Sequence, residues 1–201
     1  MKILVCIPCL LTGGTEIQTL SLVSALVSAG HDITVACYFE HTPEMVNRYK
    51  EAGTRQGAKV DVRLLPDDGS RPKGIRATIS HLWRGLKDIV RDVQPDVAHV
   101  QYMAPGAIPI LILRALGVKK IVATAHTSGD IYSKNGLKVI HFLNNHILSG
   151  FQCITKRAEK SFFGSVGQPI GDGSKAKKHG NHFTIYNCLP DYISIRETPR
   201  H

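Results

Sequence analysis

Short runs of β-branched and aliphatic residues alternate along the chain with longer segments whose apolar positions recur every three or four residues. The short runs predict strands at Ile3–Ile7, Ile33–Cys37, Val60–Leu65, Val97–Val100, Ile121–Thr124, Gln152–Thr155 and His182–Tyr186. The longer segments predict helices over Thr15–Ala29, Pro43–Gln56, Pro72–Val93, Pro105–Leu116, Gly136–Ser149 and Arg157–Phe163. Punctuation agrees with the periodicity. Gly30 stops the first helix, Pro43 and Pro72 stand where helices begin, and Gln94-Pro95 ends the third. Runs such as Val97-Ala98-His99-Val100 are apolar on both faces, as strands buried between two layers require. Strict strand–helix alternation predicts an α/β three-layer sandwich around a seven-stranded, mostly parallel sheet. There is no internal repeat, and the one irregular stretch, Gly164–Asn181, predicts a long mobile loop rich in Gly, Ser and Lys.

Composition narrows the class. At 201 residues, 43% apolar and 20% charged, the chain is globular rather than disordered or rod-like. No apolar run reaches the roughly 18 residues of a spanning helix. Lys and Arg total 25 against 16 Asp and Glu, a formal +9, which points to a polyanion, an anionic membrane surface or phosphorylated ligands. The excess is local: residues 70–95 carry +4 and residues 156–201 carry another +4. Nucleic acid is disfavoured, because no helix-turn-helix, aromatic stacking platform or zinc knuckle accompanies the charge.

The N-terminal run could open a signal peptide or a buried strand. Pro8 interrupts it and no A-x-A-like site follows, which favours the strand. Five cysteines in an odd set, mostly within strand-like runs, fit reduced thiols and a cytoplasmic protein. Cys6-Ile7-Pro8-Cys9 is a CxxC, yet it lacks the adjoining helix N-terminus of a redox pair and the second ligand pair of a zinc site.

In open parallel sheets, ligands bind beyond the carboxyl ends of the strands. After the first strand, Leu11-Thr12-Gly13-Gly14-Thr15-Glu16 gives two glycines and a following helix N-terminus, which suit a phosphate or serve only as a turn. It is no dinucleotide fingerprint, since G-x-G-x-x-G is absent. After the fifth strand, His126 and Thr127 stand in a polar loop, where a histidine donates to a substrate hydroxyl, moves a proton or merely caps a turn. After the sixth, Lys156 and Arg157 offer cations to an anionic ligand or to water, and after the fourth, Gln101-Tyr102 reaches the same edge. On a wheel of the third helix, Lys73, Arg76, Arg84, Lys87 and Arg91 fall within about 80° of one another. Opposite them stand Ile75, Ile79, Leu82, Leu86, Ile89 and Val93. The stripe is either a solvated outer face or a contact with anionic membrane, at about 1 kcal/mol per well-placed cation.

These motifs occur in an order that resembles one family. Gly13-Gly14-Thr15-Glu16, then Ala29-Gly30-His31-Asp32-Ile33-Thr34-Val35, Pro95-Asp96-Val97-Ala98-His99, His126, and the hinge-like Ile185-Tyr186-Asn187-Cys188 follow one another as in the N-terminal domain of family 4 glycosyltransferases with the GT-B fold. The resemblance covers about residues 1–190 and implies a Rossmann-like half, with residues 191–201 opening an interdomain linker. It implies retaining, metal-independent transfer of a sugar from a nucleotide donor, with no cofactor, to a glycan or lipid-linked acceptor held by this half. His126 then lies beside the transferred sugar as the catalytic residue, and Gly13, Gly14, Thr15 and Glu16 approach donor phosphates and acceptor, the role of Glu16 being open. Tyr102, Thr127, Lys156 and Arg157 become candidates for the acceptor, and Lys73, Arg76, Arg84, Lys87 and Arg91 for a peripheral membrane contact at the inner face of the cell membrane.

Cys188 stands where the family has a hinge glycine, and the stretch after Gly164 is longer than usual. Half of a sugar-nucleotide epimerase and a stand-alone carbohydrate or lipid-phosphate binding module remain alternatives. The family's nucleotide-gripping domain, with its Lys/Arg pair and E-x7-E segment, is not among these residues. The 201-residue chain alone is therefore expected to be inactive, with weak nucleotide-sugar binding. Detectable transfer from a nucleotide sugar by the chain by itself overturns that expectation.

Overall fold

Seven apolar runs become seven strands, the inner five buried at nearly every position and the edge strands at Asp61–Leu64 and His182–Thr184 only in part. The computed structural model describes residues 1–54, 57–66, 69–167 and 181–187. The elements run β1 Lys2–Ile7, α1 Gly14–Ser28, β2 Asp32–Cys37, α2 Pro43–Glu51, β3 Asp61–Leu64, α3 Ile75–Val93 and β4 Val97–Gln101. They continue as α4 Ala107–Ala115, β5 Ile121–Ala125, a 3-10 turn at Gly129–Ile131, α5 Lys134–His146, β6 Gly150–Cys153, α6 Lys156–Phe163 and β7 His182–Thr184. All six strand pairings are parallel, in the order β3-β2-β1-β4-β5-β6-β7. The mostly parallel sheet of the expectation is thus parallel throughout.

Strand alternation divides the core into two. Ile3, Val5, Ile7, Ile33, Val35 and Cys37 face α1 and α2, where Val23, Val27, Met45 and Tyr49 meet them. Leu4, Cys6, Ala98, Val100, Ala123, Phe151 and Cys153 face α3 to α6. Connections leave on opposite sides of β1 and β4, so the order reverses there and a crevice opens at the carboxyl ends of these two strands.

Where boundaries differ from the sequence pattern, a local cause is visible. The expected strand Gln152–Thr155 is Gly150–Cys153, because the Thr155 hydroxyl accepts from Ala158 N at 3.0 Å and caps α6 instead. The helix expected from Pro72 begins at Ile75, after Gly74 takes φ +85°. The helix expected to end at Gln56 stops at Glu51, and Ala58 N closes onto Gly53 O at 3.0 Å. Ser133 caps α5 two residues earlier than the pattern suggests, accepting from Gly136 N at 3.1 Å. Most of the stretch from Gly164 to Asn181, with Lys175, Lys177 and Lys178, lies outside the described residues, as do Cys188, Arg196, Arg200 and the linker.

The last strand is held by one acid. Glu159, on α6, is fully buried and accepts from His182 Nδ1 and Gly167 N, both at 2.6 Å, and from the Thr184 hydroxyl. Phe163 stacks on the His182 ring at 4.2 Å. A carboxylate so placed is stabilised only while its donors stay in position. Glu159→Ala strands three donors and is expected to cost about 3 kcal/mol or more. Hydrogen exchange should show β7 amides losing protection while β1 and β4 keep theirs; unchanged protection of β7 rejects its anchoring role.

Candidate functional site

The loop after β1 is pinned at its middle. Leu10 N donates to Glu40 O at 2.9 Å and Thr42 N to Leu10 O at 3.0 Å, which ties it to the loop after β2. Beyond it α1 starts on Gly13, which is extended and offers no side-chain cap. The first intrahelical bond is Ile17 N to Gly13 O at 3.0 Å, so the amides of Gly14, Thr15 and Glu16 have no acceptor within the helix. Gly13, Gly14 and Thr15 line a cleft of about 520 Å³ together with Thr12, His126 and Asn187. Free amides at a positive helix end are suited to an anion. Glu16 does not line the cleft; its carboxylate lies over Gly13, where a Cβ would push it aside. Its charge complements the first turn of α1.

His126 extends β5 into the cleft. Its Nε2 donates to Gln101 Oε1 at 2.7 Å, which leaves Nδ1 as a lone-pair acceptor with no partner among the described residues. Burial holds its pKa down at about 4, so the ring is neutral near pH 7. His99, deeper on β4, is also held at about 4, first by burial and then by its neighbour His126. The His99 Nε2 donates to Thr124 Oγ1 at 2.6 Å, and that hydroxyl donates to Gln152 Oε1 at 3.3 Å. The run Val97–Val100 is therefore not apolar on both faces, because His99 points to the α1 side and is met by a polar partner.

The remaining expected residues separate. Tyr102 is buried on the opposite face of the sheet, packed against Tyr132 and Phe151 at ring distances of 6.2 and 5.6 Å. Alternation brings Gln101 instead to a smaller chamber beside the cleft. Thr127 is exposed and lines neither cleft nor pocket among the described residues. Lys156 and Arg157 line a separate pocket of about 420 Å³ with Lys160, Asp130, Ser161 and Val166. Its floor is firm: Ser161 Oγ accepts from Gly129 N at 2.8 Å and joins the turn after β5 to α6. The sequence marks Gln101 only as reaching the ligand edge and Asn187 only as part of the hinge-like motif, and does not single out Gln152; the available signal is a polar residue at alternate positions of otherwise apolar strands.

On α3 the cations are arranged differently from the wheel. Lys73 precedes the helix, and Arg91 is engaged by Asp88 and Asp92, both at 3.2 Å. Leu82, Leu86 and Ile89 are buried as the pattern requires and Val90 is buried beside them, whereas Ile75, Ile79 and Trp83 are 63, 43 and 40% exposed. The CxxC is inert: burial pushes the Cys6 thiol up to about 12 and Cys9 to about 11, where the Glu40 carboxylate adds to the effect. Glu40 is in turn forked by Arg71, both contacts at 2.9 Å, and this holds its pKa near 2. Among the described residues no cluster of His, Cys, Asp and Glu is placed to hold a metal ion.

The two neutral histidines give a pH dependence with a definite sign. Unfolded, each takes a proton near 6.5; folded, only near 4. Stability is full above pH 6.5 and falls as pH drops toward 4, by roughly 1.4 kcal/mol per unit per histidine. Glu40 does not interfere, since its own window runs from 4.5 down to about 2. Denaturant unfolding across this range should show the slope, and His126→Asn should remove about half of it; an unchanged slope in the variant rejects the assignment.

Comparison with known proteins follows the same lines. No curated protein matches the chain. Among solved structures, Alr3699/HepE from Anabaena, solved with UDP and glucose, aligns at TM-score 0.61 and 15% identity over 94% of this chain and 45% of its own. The lipopolysaccharide outer core galactosyltransferase WaaB aligns at 0.58 and 12%, over 94% of this chain and 46% of its own. A putative UDP-N-acetylglucosamine 2-epimerase from Listeria monocytogenes aligns at 0.55 and 14%, over 84% and 42%. The chain spans less than half the length of each of these structures, and the likeness establishes a shared Rossmann-like fold. The family model described as Glycosyltransferase Family 4 matches residues 12–168. With that match covering most of the chain, and with the GT-B architecture of its sheet, the protein belongs to Glycosyltransferase Family 4.

Proposed function

We propose that this chain forms the acceptor-side half of a retaining, metal-independent hexosyltransferase. The enzyme would use a nucleotide-sugar donor and a glycan or lipid-linked acceptor. The supporting observation is the single cleft that joins the uncapped start of α1 to the neutral His126. The amides of Gly14 and Thr15 receive donor phosphate oxygens, as helix N-termini do. His126, uncharged, accepts a hydroxyl hydrogen of the transferred sugar at Nδ1 without adding a positive charge where an oxocarbenium-like centre develops. Lys156 and Arg157, with Lys160, serve an anionic group on the acceptor, one strand away along the same sheet edge. Retention and metal independence are taken from the family resemblance. An epimerase shares the fold, and the family match favours transfer.

Membrane contact belongs to the same reading. Ile75, Ile79 and Trp83 form an exposed ridge at spacings of four, flanked by Lys73, Arg76, Arg84 and Lys87. Apolar anchors beside cations suit the boundary of an anionic bilayer, where a lipid-linked acceptor resides. Co-sedimentation should show low-salt binding to anionic vesicles only; equal binding to neutral vesicles rejects the contact.

For the reaction, His126→Ala in the polypeptide carrying both halves is expected to lower kcat by roughly 10²-fold or more. The KM for the nucleotide sugar should change far less. A variant with unimpaired kcat overturns the assignment.

A further inference from the structure

The face of the sheet that looks toward α1 changes character at β4. On β1 and β2 it is apolar, while on β4, β5 and β6 the corresponding positions hold His99, Gln101, Thr124 and Gln152. Register makes three of these a row, with Gln101 opposite Thr124 and Thr124 opposite Gln152 on adjacent strands. Gln101 is 2% exposed and Thr124 3%, where parallel strands ordinarily place Val, Ile or Leu.

Counting donors and acceptors shows what the row lacks. A side-chain amide has one oxygen and two N–H hydrogens. The Gln101 oxygen is taken by His126 and the Gln152 oxygen by the Thr124 hydroxyl, which is itself occupied by His99. The two amide nitrogens have no partner among the described residues. Both residues line a chamber of about 220 Å³ closed on its other side by Leu22 and Ala25 of α1. Neither nitrogen is sealed in the core; both are open to the chamber, where their N–H groups can donate to an occupant that brings oxygen atoms.

Charge decides which oxygens. Among the described residues no Lys, Arg, Asp or Glu lines the chamber, and a phosphate there would find no counter-charge from them. Anions are served elsewhere, at the start of α1 and beside Lys156, Arg157 and Lys160. Hydroxyl and ring oxygens suit neutral amide donors, and the aliphatic wall of Leu22 and Ala25 suits C–H groups. The chamber opens to the larger cleft through His126 and Asn187, which border both.

We propose that this chamber is a subsite for one uncharged sugar ring, and that Gln101 and Gln152 set its specificity by donating to the ring's oxygens. The inference rests on the sugar-transfer reading and adds to it a place for a ring behind His126. Because Gln101 also receives the His126 hydrogen, the residue that reads the ring fixes which imidazole nitrogen is free.

Side-chain amide NMR signals of the ¹⁵N-labelled chain provide the test. The probes are the methyl glycosides of glucose, galactose, mannose and N-acetylglucosamine, and, separately, UDP-glucose and inorganic pyrophosphate. At least one methyl glycoside should shift the Gln101 and Gln152 side-chain amides, which assigns the ring to the acceptor. A shift with UDP-glucose alone also supports the subsite and assigns the ring to the donor. Gln152 is the less buried of the two, so Gln152→Leu should fold and weaken the effective probe about tenfold, as expected for one lost hydrogen bond. Gln152→Asn should restore part of the loss. Shifts at neither amide with any sugar probe, or shifts that survive Gln152→Leu undiminished, overturn the proposal. Pyrophosphate shifts at the Gly14 and Thr15 amides, together with the His126→Ala kinetics, report on the transfer reading independently of this chamber.

Discussion

Period-two alternation in a sheet covered on both faces is the constraint on which the rest depends. Once Ala98 and Val100 are committed to the helices on one side, His99 and Gln101 have no choice but the other. The same parity sends Thr124 and His126 with them and Tyr102 away. A one-residue slip of β4 would exchange Gln101 for Tyr102 at the chamber beside the cleft and leave a buried imidazole without its partner. Position in the site is therefore a matter of strand register more than of loop shape.

That register yields a division of labour by charge. Backbone amides without an acceptor in the helix stand at the start of α1, and three cations stand near the start of α6. Between these lies a neutral region in which two histidines are kept uncharged by burial. Neutral hydrogen-bonding groups in a low-dielectric setting discriminate oxygens by geometry without pulling phosphates out of place. Glu16, inside the glycine motif, does not line the cleft and places its charge at the first turn of α1.

Much of this was legible in the residues because local signals and burial agreed. Glycine placement gave the turn before α1, and β-branched runs gave the strands. The misplacements have a common physical origin. Thr155 has high strand propensity but its hydroxyl was needed as a helix cap, and Ile75 and Ile79 continue an apolar period past the point where the sheet offers them a partner. Gln152 escapes notice, and Gln101 reads only as reaching the ligand edge, because their meaning lies in pairing across strands that are far apart in the chain. Nothing local marks one polar residue in a strand as part of a row.

The clamp on β7 has a mechanical consequence. Glu159 grips β7 from α6, three residues beyond Lys156 and two beyond Arg157, while the chain leaving β7 passes directly into Ile185–Asn187 at the mouth of the cleft. Force applied to the polypeptide downstream of β7 is thus transmitted along a short, stiff path into the helix that carries the cations. The edge strand and the helix that carries the cations are joined through one buried carboxylate.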